Sequence, residues 1–189
     1  MRAEWVALLA VVSIGLLVAL IYNRLVRQRN LVREGWSGID VQLRRRTDLV
    51  PNLVATVKAY AAHERGLFED VAAKRASSIA ADNVPGQAAA ERALQGALGK
   101  LFALAEAYPA LKADKNFLKL QTELAEIEDQ IQMARRYYNG TARDLNIAIQ
   151  SFPNSLVARP FGFREEPYFE LGDGNDAAAP QVAFQEAKR

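Results

Sequence analysis

FLKLQTELAEIEDQIQMARRYYNGTARDLNIAIQSF, residues 117–152, decides the fold. Alternating steps of three and four pick out Phe117, Leu120, Leu124, Ile127, Ile131, Ala134, Tyr138, Thr141, Leu145, Ala148 and Phe152, and ten of these eleven are apolar. Residues so spaced share one face of an α-helix, which makes this a coiled-coil or bundle seam of about five heptads. Asp114 stands where a cap belongs, Pro109 stops the helix before it, and Pro153 ends this one. The same steps recur upstream at Val32, Trp36, Ile39, Leu43, Val50, Leu53, Val57 and Tyr60 and on to Leu67 and Val71, with Arg46 and Glu64 at the polar positions of the series. Between these stripes lies a shorter one, Leu94, Leu98, Leu101 and Ala105, after a turn-forming stretch from Ser77 to Gln87. Pro51 interrupts the first stripe, either inside a kinked continuous helix or in the first turn of a new helix capped by Thr47 or Asp48. The unbroken stripe favours the continuous helix. No alternating pattern competes, so the expected body is an all-α, up-and-down antiparallel bundle with long helices.

Ahead of the bundle, WVALLAVVSIGLLVALIY runs from Trp5 to Tyr22 without a charge. With Asn23 it rises about 28 Å as a helix, enough for a hydrocarbon core of ~30 Å. A cleaved signal peptide is the competing reading, but the apolar run is long for one and no small-x-small site follows it. Arg24, Arg27, Arg29 and Arg33 crowd the carboxyl side against only Arg2 and the amino terminus before the span, so the body is expected to face the cytoplasm. Trp5 and Tyr22 bracket the span at the two interfaces. The expected organisation is an external amino terminus at 1–4, a transmembrane helix at 5–23, a cytoplasmic bundle at 24–153, an extended aromatic segment at 154–170 and a disordered tail at 171–189.

Composition narrows the chemistry. The 189 residues include no cysteine and one histidine, which leaves no disulfide framework, no thiol catalysis and no ordinary zinc site. No cofactor is expected, and a net charge of +2 gives no argument for nucleic acid. The 11 basic and 6 acidic residues of 24–75 face 12 basic and 15 acidic residues in 76–189, which favours antiparallel docking within or between chains. Glu123, Glu126, Glu128 and Asp129 flank the seam and read as a solvated face. Arg44, Arg45 and Arg46 read either as partners of Asp40 and Asp48 within the helix or as a contact to another subunit. Arg45 lies about 35 Å past Tyr22 on an upright helix, far beyond the reach of the bilayer's surface potential. His63 invites a phosphorelay reading, set against a plain structural histidine. Tyr138 belongs to the seam, whereas Tyr137 and Asn139 are free to bond across helices. Phe161, Phe163, Tyr168 and Phe169 are aromatic groups either docked on the bundle or offered to a partner.

Five blocks in order, YNRLVRQRN, GWSGIDVQLRRRTDLVPNLVATVKAYAAHE, LFALAEAYPALKADKNFLKLQTEL, ARRYYNGTARDLN and FGFREEPYFE, resemble the LemA family over most of the chain, from about Tyr22 to Glu170. The resemblance implies a bacterial single-pass membrane protein with a helical-bundle body on the cytoplasmic side, and it implies no settled reaction. Ala158, Arg159 and Pro160 depart from the family pattern ahead of the Gly-Phe pair, which bears on how the terminal segment packs. The expected function is a non-enzymatic, self-associating scaffold or adaptor with a membrane protein partner. A signalling bundle acting through His63 is the alternative.

Overall fold

The computed structural model describes residues 2–171; of the disordered tail expected at 171–189, Leu171 is instead buried in the core and the rest lies outside the described residues. Six helices follow one another: α1 (Arg2–Lys58), α2 (Arg65–Ala80), α3 (Val84–Glu106), α4 (Pro109–Lys112), α5 (Lys115–Gln150) and α6 (Asn154–Ala158). No strand occurs among the described residues. α1 continues without a break from the apolar run into the bundle, passing through Pro51. A proline cannot donate to the carbonyl four residues back, here that of Thr47. The Arg75 Nε of α2 donates to that carbonyl at 2.6 Å, so the defect in α1 becomes the docking point for α2.

The first stripe does not run on in one helix to Val71. The chain reverses over residues 59–64, and α2 folds back so that Phe68 and Val71 share a core with Val50, Leu53 and Val57. A helix continued straight would have left both faces in water. The turn expected from Ser77 to Gln87 is confined to residues 81–83, because Asn83 caps α3 by accepting from the Gly86 N–H at 2.8 Å. Asp114 caps α5 as expected, its Oδ1 accepting from the Asn116 and Phe117 N–H groups at 2.9 and 3.0 Å.

α5 runs antiparallel to α1 over its whole length. Tyr60 meets Asp114, Arg46 meets Glu128 and Trp36 meets Tyr138, so residues rise on one helix as they fall on the other. Gly35 permits the close approach, since a Cβ there would lie 3.0 Å from the Tyr138 Cα. The distal half of the molecule is built from α1, α2, α3 and α5 around Val50, Leu53, Leu94, Leu101 and Leu124. In the half nearer the apolar run α3 contributes only Val84 and Ala88 from its first turns, and the terminal segment completes the core against Leu25, Ile39, Ile131 and Leu145. Phe152, placed in the seam by spacing, stands exposed because α5 ends at Gln150.

The cap also sets a pH dependence. The Asp114 carboxyl is held below the ordinary carboxylate value, first by the Phe117 N–H and then by the Tyr60 hydroxyl, which donates at 3.0 Å. A carboxylate with a lowered folded pKa contributes stability above its unfolded value, about 4, and loses it as pH falls through the lowered one. Asp114→Asn keeps a capping acceptor that does not titrate. Thermal melts from neutral to strongly acid pH should therefore show the parent losing stability relative to this variant only below about pH 4.

Candidate functional site

Two polar constructions are built into the bundle. The first lies where the two cores meet. Arg46 is buried on α1, where its Nη2 donates to Glu91 of α3 and its Nη1 donates to Glu128 of α5 at 2.9 Å. Ser78 of α2 donates to the second Glu91 oxygen, and Gln87 donates to it as well at 2.8 Å. Gln132 secures Glu128 at 2.9 Å. Burial pulls the Arg46 guanidinium pKa below its ordinary value, while the charge and hydrogen bond of Glu128 pull it back. One guanidinium thus ties α1 to α3 and α5, and Ser78 brings in α2 through Glu91.

This placement corrects two expectations. Arg46 is enclosed within the chain and is not a subunit contact, because its position in the apolar series faces it inward. Glu128 is only partly solvated, since it turns toward that arginine. Arg44 pairs with Asp40 at 2.9 Å and stays exposed, and the exposed Arg45 donates to Gln42. Glu91 escaped the sequence reading, although stepping back from Leu94 by three and then four reaches Glu91 and Gln87 on the same stripe. A carboxylate on an apolar stripe, matched by an arginine on another, is the signal that could have found the pair.

The second construction is a clamp on the terminal segment. Asn146 donates to the Glu166 carbonyl at 2.9 Å and accepts the Glu166 N–H at 2.8 Å. Asn139 repeats the pattern on Phe169, at 3.1 and 2.8 Å. Seven residues of helix advance about 10.5 Å and three of extended chain about 10 Å, so two asparagines one heptad apart match residues 166 and 169. Tyr138 adds a hydrogen bond from its hydroxyl to the Pro167 carbonyl at 2.8 Å, and its pKa is pushed up to about 12, mainly by burial and further by Glu166. Each asparagine acts as a strand edge would, reading backbone alone. Side-chain packing sets the register: Phe163 lies under Arg29 at 4.9 Å and beside Tyr22 at 5.8 Å, while Phe169 sits against Trp36 at 5.7 Å.

Of the two readings of these aromatic groups, docking on the bundle holds for Phe163 and Phe169, which are buried in their own chain and so are not partner contacts, whereas Phe161 and Tyr168 remain exposed. Residues 154–158, expected to be extended, form α6, with Val157 and Ala158 turned into the core. Arg159 and Pro160 lie in the exposed turn that follows, closed by the Phe163 N–H on the Ala158 carbonyl at 3.0 Å. Gly162 there has φ of 72°, a conformation that favours glycine. His63 sits exposed in the turn between α1 and α2, not on a helix face. Arg24, Arg27 and Arg33 stand exposed just past the apolar run, and Trp5 and Tyr22 mark its ends.

α1 is long and apolar enough to cross a membrane, and almost nothing of its apolar window is buried. Fold and site together define an all-helical bundle protein joined without a break to a helix of membrane-spanning character. The chain belongs to the LemA family, whose sequence model matches residues 35–184. It is 29% identical to the magnetosome protein MamQ of Magnetospirillum gryphiswaldense, over 96% of this chain and 79% of that one. It is 28% identical to MamQ 2 of Paramagnetospirillum magneticum, over 96% and 76%. With protein LemA of Metamycoplasma hominis it shares 27% identity over 80% of this chain and 69% of that one. None of these names is that of an enzyme.

Proposed function

We propose that the protein is a non-enzymatic single-pass protein of the bacterial inner membrane, amino terminus outside, whose cytoplasmic bundle self-associates and serves as a scaffold or adaptor. The observation that carries this reading is the unbroken course of α1 from the apolar run to the distal end of the bundle. A rigid continuous helix sets the bundle at a fixed height and bearing from the bilayer, which suits a protein that positions others. The buried polar groups support it too. Arg46 and Glu91 neutralise each other, and the clamp asparagines are occupied by backbone, so neither construction offers a group to a substrate. Two of the relatives are named for the magnetosome, a structure and not a reaction. The basic cluster after the span supports the orientation.

Self-association finds support in Val41, Met133 and Tyr137, half-exposed apolar groups on the outer faces of α1 and α5. Sedimentation of the detergent-purified full-length protein should show a species larger than the monomer at micromolar concentration. A monomer there would overturn self-association and leave the anchored adaptor. Because the chain lacks cysteine, a single Lys119→Cys label reports orientation: an impermeant maleimide should reach it only after the cells are opened.

A further inference from the structure

The run Trp5–Tyr22 rises about 27 Å as a helix, slightly less than a hydrocarbon core of ~30 Å, so a span has to use all of it. The bundle nevertheless begins before the run ends. Val18 and Ile21 pack in the same core as Val157, Ala158 and Phe163, and the Tyr22 ring lies 5.1 Å from that of Phe161. About 6 Å of helix, from Val18 to Tyr22, therefore belongs both to the apolar run and to the folded body.

The segment packed at that level carries large apolar side chains on its outside. Phe152 is 81% exposed, Leu156 67% and Phe161 54%. Val157 and Ala158 of α6 face α1, which leaves Leu156 pointing away from the bundle. Three such groups within ten residues form a patch of the kind that marks an interaction surface. Arg24 lines a shallow pocket with Phe152, Arg159 follows α6 in the chain, and both are exposed, as is Arg27 one turn of α1 beyond Arg24.

We propose that this tip is a second membrane contact: Leu156 and Phe161, with Phe152 at the margin, insert into the bilayer that α1 crosses, while Arg24, Arg27 and Arg159 meet its phosphates. The inference rests on α1 spanning the bilayer. What selects lipid over a protein partner is level, because the residues packed against the tip are the last residues of the apolar run itself. Leucine and phenylalanine settle at the boundary between headgroups and acyl chains, and arginines beside them reach up to phosphate. A second point of attachment keeps α1 from tilting or rotating in the bilayer with the rigid bundle on it, and the clamp on residues 166 and 169 fixes the tip to α5.

The native lack of cysteine makes the test direct. Leu156→Cys and Phe161→Cys, each spin-labelled in the full-length protein, are placed in vesicles of phosphatidylcholine and phosphatidylglycerol. Val12→Cys in the apolar run and Leu118→Cys near the start of α5 serve as references. Labels at 156 and 161 should collide with dissolved oxygen in preference to an aqueous nickel chelate, as the label at 12 does, and the label at 118 should show the reverse. If 12 reads lipid while 156 and 161 read water, the second contact is overturned and the span stands. If 12 reads water, the span and the inference fall together.

Discussion

Arg46→Ala is expected to cost about 3–5 kcal/mol of stability, against a change within about 0.5 kcal/mol for its neighbour Arg45→Ala. Both substitutions delete one arginine from the same run, so the contrast isolates burial. Arg45 stands in solvent with a single hydrogen bond to Gln42. Arg46 neutralises a Glu91 carboxylate that is wholly buried, and without the guanidinium that charge keeps only Ser78 and Gln87 as donors. The Arg46 Nε is itself buried without a hydrogen-bond partner, so the site is not the most stable filling of this space. Arg46→Met combined with Glu91→Leu is therefore expected to recover part of the loss, as buried ion pairs replaced by apolar groups often do. Urea unfolding of the detergent-solubilised protein, followed by helical circular dichroism, measures all three. Equal midpoints for Arg46→Ala and the parent would show that the pair is not buried as described.

The double substitution Asn139→Ala with Asn146→Ala should release the terminal segment while leaving α1 and α5 paired. Each asparagine supplies two hydrogen bonds to backbone groups, at roughly 1 kcal/mol net apiece, so the pair together contributes about 4 kcal/mol to holding the segment. Opening the segment returns the orphaned N–H and C=O groups to water but exposes Phe163, Phe169 and Leu171, which sit in the core. Hydrogen exchange should accordingly show the Glu166 and Phe169 amides exchanging near the rate of free peptide, with the amides of α5 from Leu124 to Ile131 still protected. Asn146→Asp alone tests the donor half, because a carboxylate accepts the Glu166 N–H yet repels its carbonyl. Unchanged protection at residues 166 and 169 in the double variant would mean that aromatic packing alone holds the segment.

The helical part of this was legible because helix periodicity is a local property. The seam from Phe117 to Ala148, its Asp114 cap and the continuity of α1 through Pro51 all follow from residues within a few turns of one another. The reversal at 59–64 was hidden because Leu67 and Val71 keep the three-four count across the break. Spacing cannot tell one helix from two whose stripes stay in phase. Arg46 announced itself as a polar member of an apolar series, but nothing local said whether its counter-charge came from its own helix, another helix or another chain.

Of the functional features, the sequence determined the apolar run, the basic residues that follow it and the all-helical body, since each depends only on composition and short spacing. Tertiary structure alone decided that Arg46 is spent on Glu91 and Glu128, that Asn139 and Asn146 grip the backbone at 169 and 166, and that the segment bearing Leu156 and Phe161 stands level with the end of the apolar run. These join residues from about 20 to nearly 140 positions apart, and what joins them is the antiparallel register of α5 on α1. That register is set by the sum of many weak apolar contacts and one close approach at Gly35. No single stretch of sequence carries it.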